Sequence, residues 1–216
     1  MIKNVIFDLD GTLTDPKTGI VNGLQLAFSQ YGISLENPED YEAFIGPALR
    51  DFMPRRFPGR DDETYDAIVK AYRAYYGEKG KFENEPYPGI EEALERLSSA
   101  GMRLAVATSK PKVFADEILE HFGLLRFFEY VAGPPLYHTS SDKSSLIREC
   151  IEALSAKADE TIMVGDRKYD IDGAHSAGIR CAAALYGYGP PEEAAAADCA
   201  AATPNALANM LIGMSK

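Results

Sequence analysis

The sequence predicts an α/β protein: a doubly wound parallel sheet with a helical insertion after its first strand. Two observations carry this. Short apolar runs recur along the chain, separated by stretches with helical periodicity, the pattern of parallel strands joined by right-handed crossover helices. One long stretch, residues 16–82, keeps helical periodicity and holds no strand-like run. The chain has 216 residues, 46% of them hydrophobic and 25% charged. That composition belongs to a folded protein, and that length suits one core plus a substantial insertion.

Taken in order, Val5-Ile6-Phe7 is a buried strand that breaks into a turn at Asp8-Leu9-Asp10-Gly11-Thr12. Asp15-Pro16 opens a helix, as cap and first-turn proline, and Val21, Leu24, Phe28 and Tyr31 share its face. A shorter helix fills Pro38 to Ile45, and Ile68, Val69, Tyr72, Tyr75 and Tyr76 mark another. The tyrosines fit the interior of the insertion better than a stacking platform for a base. Glu85-Pro86-Tyr87-Pro88-Gly89 is the return linker. Beyond it, strands are expected at Leu104–Ala107, Tyr130–Ala132, Thr161–Val164 and Cys181–Leu185. Helix faces are marked by Ile90, Leu94 and Leu97, by Ile118, Leu119 and Phe122, and by Leu146, Ile147, Cys150 and Leu154. The alanine-rich residues 194–197 and 200–202 suit a short helix or helix-turn. The division expected is a core of residues 1–15 and 83–216 and an insertion of residues 16–82.

Charge narrows the function. There are 22 Lys+Arg against 33 Asp+Glu, a net charge of −11. That balance argues against nucleic acid or an anionic membrane as partner. No apolar run of about 18 residues offers a membrane span, and Met1 to Asn4 runs straight into a strand without a signal-peptide pattern. Cys150, Cys181 and Cys199 form no metal-ligand cluster and read as reduced, buried thiols. A cytoplasmic enzyme, monomeric or a small homo-oligomer, is expected. His121, His138 and His175 sit in no motif.

Four segments carry chemistry, each at a strand end or helix start. In a parallel sheet these gather at one edge. Asp8 and Asp10 are two carboxylates that can face one site; such a pair can supply a nucleophile for phosphorus and a general acid/base. Gly11 permits close backbone approach to a phosphate, although Asp-Gly-Thr is also ordinary turn chemistry. Thr108-Ser109-Lys110-Pro111 sets a hydroxyl at a strand end before a helix N-terminus, suited to a phosphate oxygen or to simple capping. Lys143, in Ser141-Asp142-Lys143-Ser144-Ser145, stands at a helix start, where the macrodipole slightly disfavours it. Gly165-Asp166-Arg167-Lys168-Tyr169-Asp170 offers two carboxylates, enough to hold Mg²⁺ with a phosphate oxygen and waters.

Together these segments resemble the haloacid dehalogenase-superfamily phosphatases. The four motifs occur in that family's order, with Lys143 lying 23 residues before Asp166, and the insertion resembles the family's small helical cap on a Rossmann-like core. The resemblance implies Asp8 as nucleophile, Asp10 as general acid/base, and Thr108 and Lys143 as phosphoryl-holding residues. It implies a magnesium ion on the Asp8 and Asp166 carboxylates and the Asp10 carbonyl, with Asp170 as ligand or nearby acceptor. Gly11, Thr12 and Ser109 would line the substrate. Lys110 is a second basic candidate, as in phosphoglycolate phosphatase-like members, and which lysine dominates stays open, with Lys143 favoured. Phe44-Ile45-Gly46-Pro47-Ala48-Leu49-Arg50 resembles a cap segment of phosphoglycolate phosphatase-like and 5′-nucleotidase-like members. Arg50 there could meet a substrate carboxylate or second phosphate, while Arg55, Arg56 and Arg60 read as solvated. The implied activity is Mg²⁺-dependent hydrolysis of a small phosphorylated metabolite, phosphoglycolate or a nucleoside monophosphate. A β-phosphoglucomutase-type phosphomutase and a catalytically silent binding protein are the alternatives; the second would usually have lost one of these acids. The insertion carries 9 basic and 10 acidic residues and the rest 13 and 23, so the acidity belongs to the core.

Overall fold

A computed structural model describes residues 1–136 and 142–215. The chain opens with β1 (Asn4–Phe7), then β2 (Thr14–Asp15). Three α-helices follow: α1 (Lys17–Ser29), α2 (Leu49–Arg56) and α3 (Asp62–Glu78). The chain returns through β3 (Glu85–Pro86) to α4 (Ile90–Ser99) and β4 (Arg103–Ala107). Next come α5 (Lys112–His121), β5 (Tyr130–Ala132), α6 (Lys143–Ala153), β6 (Thr161–Gly165) and α7 (Lys168–Ser176). It closes with β7 (Arg180–Ala184), α8 (Pro191–Ala194), β8 (Cys199–Ala201) and α9 (Pro204–Met214).

Six strands form one parallel sheet in the order β5-β4-β1-β6-β7-β8. Successive strand side chains point to opposite faces, and both faces are apolar. Val5, Phe7, Leu104, Val106, Ile162 and Val164 pack under α4, α5 and α9. Ile6, Ala105, Met163 and Cys181 pack under α6 and α7. A third apolar cluster, with Leu24, Phe28, Ile45, Met53 and Ile68 at its centre, lies among α1, α2 and α3.

Several elements differ from the sequence expectation. Pro16 stands at the cap position and the helix starts at Lys17, whose N–H donates to the Asp15 carboxylate at 3.0 Å. Residues 38–44 form a 3₁₀ helix. The return linker is an antiparallel ribbon, with Thr14 opposite Pro86 and Asp15 opposite Glu85. Helix α2 has no counterpart in the periodicity, because Asp51, Arg55 and Arg56 leave it with Met53 as its buried side chain. Residues 199–201 are a parallel edge strand on β7, not a helix. Leu185 lies just past β7 and is half exposed. Cys150 and Cys181 are buried, whereas Cys199 is only half-buried. His138 and Ser141 lie outside the described residues.

Candidate active site

Strand register assembles the site. Phe7 lies opposite Val106 on one side and Val164 on the other. The residues that follow, Asp8, Thr108 and Asp166, therefore reach one sheet edge. There the strand order reverses around β1, the position where open parallel sheets bind ligands. The Asp8 N–H continues the ladder to the Val164 carbonyl at 2.8 Å. The Leu9 carbonyl then accepts from Leu13 at 2.9 Å and Thr14 at 3.0 Å, a turn that rolls Asp10 back over the site.

Lysines from two elements meet these acids. Lys143 is 7% exposed; its Nζ lies 3.0 Å from Asp8 and 2.8 Å from Asp170, and donates to the Ala107 carbonyl at 3.1 Å. Its stem crosses α7 at Gly173, where a Cβ would stand 2.7 Å from Lys143 Cγ. The burial explains a lysine at a helix start: its charge serves the acids rather than the helix, and Asp142 caps α6 in its place, accepting from the Ser144 N–H at 3.1 Å. Lys110 Nζ lies 2.8 Å from Asp10 and also donates to the Tyr76 hydroxyl on α3. The two candidate lysines thus serve different carboxylates. The Thr108 hydroxyl is buried at the strand end and accepts from the Lys110 N–H at 3.2 Å.

Asp166 and Asp170 complete the acidic group. Asp166 accepts from the Tyr188 N–H at 2.8 Å and from the Thr12 hydroxyl at 3.5 Å. Asp170 accepts from the Arg167 N–H at 3.0 Å. Gly11, at φ +84°, has no room for a side chain because a Cβ would stand 2.3 Å from the Asp166 carboxylate. Gly11 and Thr12 therefore pack against Asp166. Sequence reasoning missed the loop after β7, Tyr186-Gly187-Tyr188-Gly189. A Cβ on Gly187 would stand 2.3 Å from the Gly11 carbonyl, and one on Gly189 would stand 1.7 Å from that of Asp166. Alternating glycine and tyrosine just past a strand, at the sheet edge that holds the motifs, was the available signal. Arg167 was missed too; its guanidinium donates to the Ile45 carbonyl at 2.7 Å and so joins the acidic group to the insertion.

Beside Asp10 lies a cavity of about 90 Å³, bounded by Asp10, Lys110, Ser109, Tyr72, Tyr76 and Phe114 among others. Tyr72 and Tyr76, expected as interior of the insertion, thus also form a cavity wall. Arg50 reaches this wall, yet its guanidinium is held by Asp62 at 2.6 Å and Asp66 at 2.5 Å. A second cavity of about 270 Å³ opens on the other side of Ser109, with Lys143 at its floor.

Burial dominates the electrostatics. It raises Asp10 above the usual carboxylate range against the pull of Lys110. Burial, then the neighbouring Asp170 and Asp8, raises Asp166. Asp170 is pushed up to about 6, by burial foremost, with Lys143 opposing. Burial also opposes the charge of Lys143, but Asp170 and Asp8 outweigh it and hold the ammonium above the usual lysine range. Asp8, Asp166 and Asp170 offer oxygens within 4.8 Å of one another. Asp8 Oδ1 and Asp170 Oδ1 lie near Lys143 but make no well-aligned hydrogen bond among the described residues. Buried oxygens converging with spare acceptor capacity fit a hard divalent cation. In this group one ammonium, Lys143, stands against three carboxylates, Asp8, Asp166 and Asp170, and leaves two negative charges, which such a cation would balance.

That imbalance predicts a pH effect. An acid whose pKa is raised on folding binds more protons folded than unfolded, so its contribution to stability falls as pH rises. For Asp170 the window runs from its ordinary 3.8 to about 6. Metal-free protein should melt at lower temperature at pH 8 than at pH 5, and MgCl₂ should raise the melting temperature more at pH 8, where protons no longer compete for the oxygens. Differential scanning fluorimetry with and without EDTA measures this; a magnesium effect equal at both pH values would contradict it.

The model of the haloacid dehalogenase-like hydrolase family matches residues 5–184. The chain is 40% identical to a 5′-nucleotidase of Pseudomonas aeruginosa, over 88% of this chain and 86% of that one. It is 38% identical to the tyrosine-protein kinase PtkA of Mycobacterium tuberculosis over 86% of this chain, spanning 62% of that protein's length. It is 32% identical to a phosphoglycolate phosphatase of Agrobacterium fabrum, over 85% of this chain and 80% of that one. Among solved structures, a predicted phosphatase from Clostridium acetobutylicum superposes with a TM-score of 0.93 at 37% identity, over 99% of both chains.

Proposed function

The chain belongs to the haloacid dehalogenase-like hydrolase family and is a phosphatase, and on that premise we propose that it hydrolyses a small phosphomonoester through a phosphate ester of Asp8. One observation carries the reading: the two carboxylates of a single strand end stand in different surroundings. Asp8 faces Lys143 at 3.0 Å and the acidic group, whereas Asp10 is turned away to Lys110 and the cavity, with its proton favoured by burial. Asp8 attacks phosphorus, the ester P–O bond breaks, and Asp10 gives its proton to the departing oxygen. Asp10 then takes a proton from water as that water attacks the phosphorus of the acyl phosphate, releasing phosphate and restoring Asp8. Lys143 and the Thr108 hydroxyl hold the phosphoryl oxygens during both steps. Asp8, Asp166, Asp170 and the Asp10 carbonyl would hold the magnesium ion, which supplies Lewis-acid charge neutralisation. The helical insertion, residues 16–82, acts as the cap that shields the acyl phosphate from bulk water.

Cavity size guides the substrate. The cavity beside Asp10 and Lys110, at about 90 Å³, is far below the roughly 300 Å³ at which pockets for drug-sized ligands begin, and the one over Lys143 measures about 270 Å³. A compact leaving group such as glycolate suits the cavity beside Asp10, where Lys110 lines the wall as a cation for its carboxylate. Phosphoglycolate is therefore the first substrate reading. A nucleoside 5′-monophosphate is the second, supported by the stacked Tyr72 and Tyr76 rings, 5.4 Å apart, and by the nucleotidase relative. The test is a panel of phosphomonoesters with Mg²⁺, with EDTA as control. Phosphoglycolate should give the higher kcat/KM and EDTA should abolish turnover; a preference for nucleotides would reverse the order, and no hydrolysis across the panel would overturn the reading.

A further inference from the structure

We propose that Tyr76 is a positioning residue for Asp10, acting from the helical insertion through Lys110. The proposal rests on the phosphomonoesterase reading above. Tyr76 is 2% exposed, and its hydroxyl accepts from Lys110 Nζ. The same ammonium lies 4.3 Å from the centroid of the Tyr76 ring, at its hydroxyl edge. The next contact of that cation is Asp10 Oδ2 at 2.8 Å.

The tyrosine is itself fixed. Its ring stacks on Tyr72 at 5.4 Å and meets the edge of Phe114 at 5.7 Å. A lysine is a point charge on a flexible stem, and Lys110 extends from the loop before α5, where Tyr76 and Asp10 hold its ammonium among the described residues. The arrangement holds the Asp10 carboxyl by one oxygen. Oδ2 is engaged by Lys110, while Oδ1 is buried without a hydrogen-bond partner among the described residues, and Asp10 lines the cavity where a leaving group would sit. The Lys110 contact at Oδ2 therefore fixes the rotation of the carboxyl group that faces the departing oxygen. Losing the Tyr76 hydroxyl would let Lys110 swing and the carboxyl rotate.

The test compares two small substrates that differ in their need for a proton. Ethyl phosphate releases ethoxide, which must be protonated as it leaves; acetyl phosphate releases acetate, which need not be. The ratio of interest is kcat/KM, which covers only the steps up to leaving-group departure. In Tyr76→Phe, kcat/KM for ethyl phosphate should fall about tenfold further than that for acetyl phosphate, the fold-change set by one hydrogen bond to a charged group. With Lys110→Met already in place, adding Tyr76→Phe should produce no further selective loss. Equal losses on both substrates, no loss, or a selective loss that persists without Lys110 would each overturn the proposal. Wild-type protein that turns over neither compound would instead overturn the phosphomonoesterase reading on which it stands. Removing one oxygen atom leaves the ring packing in place, and circular dichroism checks the fold.

Discussion

Asp8→Asn should abolish turnover and at the same time raise the melting temperature of the metal-free protein. The activity loss follows from the proposed chemistry: an amide is no nucleophile towards phosphorus, and removing a catalytic nucleophile costs about 10⁴-fold or more. The stability gain follows from charge. Asp8 shares a buried space with Asp166 and Asp170, whose oxygens lie within 4.8 Å, and its presence helps to raise both neighbours. Replacing one carboxylate by an amide removes that repulsion and adds donors where buried acceptors lack them. A gain of about 1 kcal/mol would move the melting temperature by about 2–4 °C in a chain of this size. Sites built for function commonly hold such destabilising charge. A phosphate-release assay and a thermal melt in EDTA measure both effects; a lower melting temperature would contradict the charge account.

Lys143→Met should also abolish turnover, but with the opposite sign on stability. The methionine keeps most of the stem that crosses Gly173 and removes the ammonium between Asp8 and Asp170. Breaking a buried ion pair on one side costs about 3–5 kcal/mol, equivalent to a fall of about 10 °C. The fall should be largest at pH 8 and smaller at pH 5, where Asp170, pushed up to about 6, accepts a proton and no longer needs the lysine. Opposite stability shifts from two inactive variants separate charge balance from simple packing damage. If both variants melt lower by the same amount at both pH values, charge balance does not govern this site.

How much of this was legible in the sequence depends on the size of each signal. The central strands were legible because Val5 to Phe7 and Thr161 to Val164 are apolar on both faces and stop at acidic residues. Residues 199–201 were not, since alanine carries little strand signal and the strand forms by pairing with β7. The β2–β3 ribbon is two residues per strand, too short for any periodicity. At the site, Asp8, Asp10, Thr108, Lys143, Asp166 and Asp170 were legible as motif residues at strand ends or helix starts, and the structure brings them to one edge. What the sequence left open was pairing. Lys110 and Lys143 are both candidates in one dimension, with Lys143 favoured; in three, Lys143 meets Asp8 and Lys110 meets Asp10. Tyr76 lies 34 residues from Lys110, and a helix-face tyrosine gives no sign in sequence of which cation its hydroxyl will meet.

The proposed phosphate ester of Asp8 is the centre of the account and is open to direct capture. Protein mixed with Mg²⁺ and its best substrate, quenched in acid within the first turnovers and reduced with borohydride, should yield a peptide with homoserine at position 8 by mass spectrometry. Modification at another carboxylate, or none during active turnover, would contradict it.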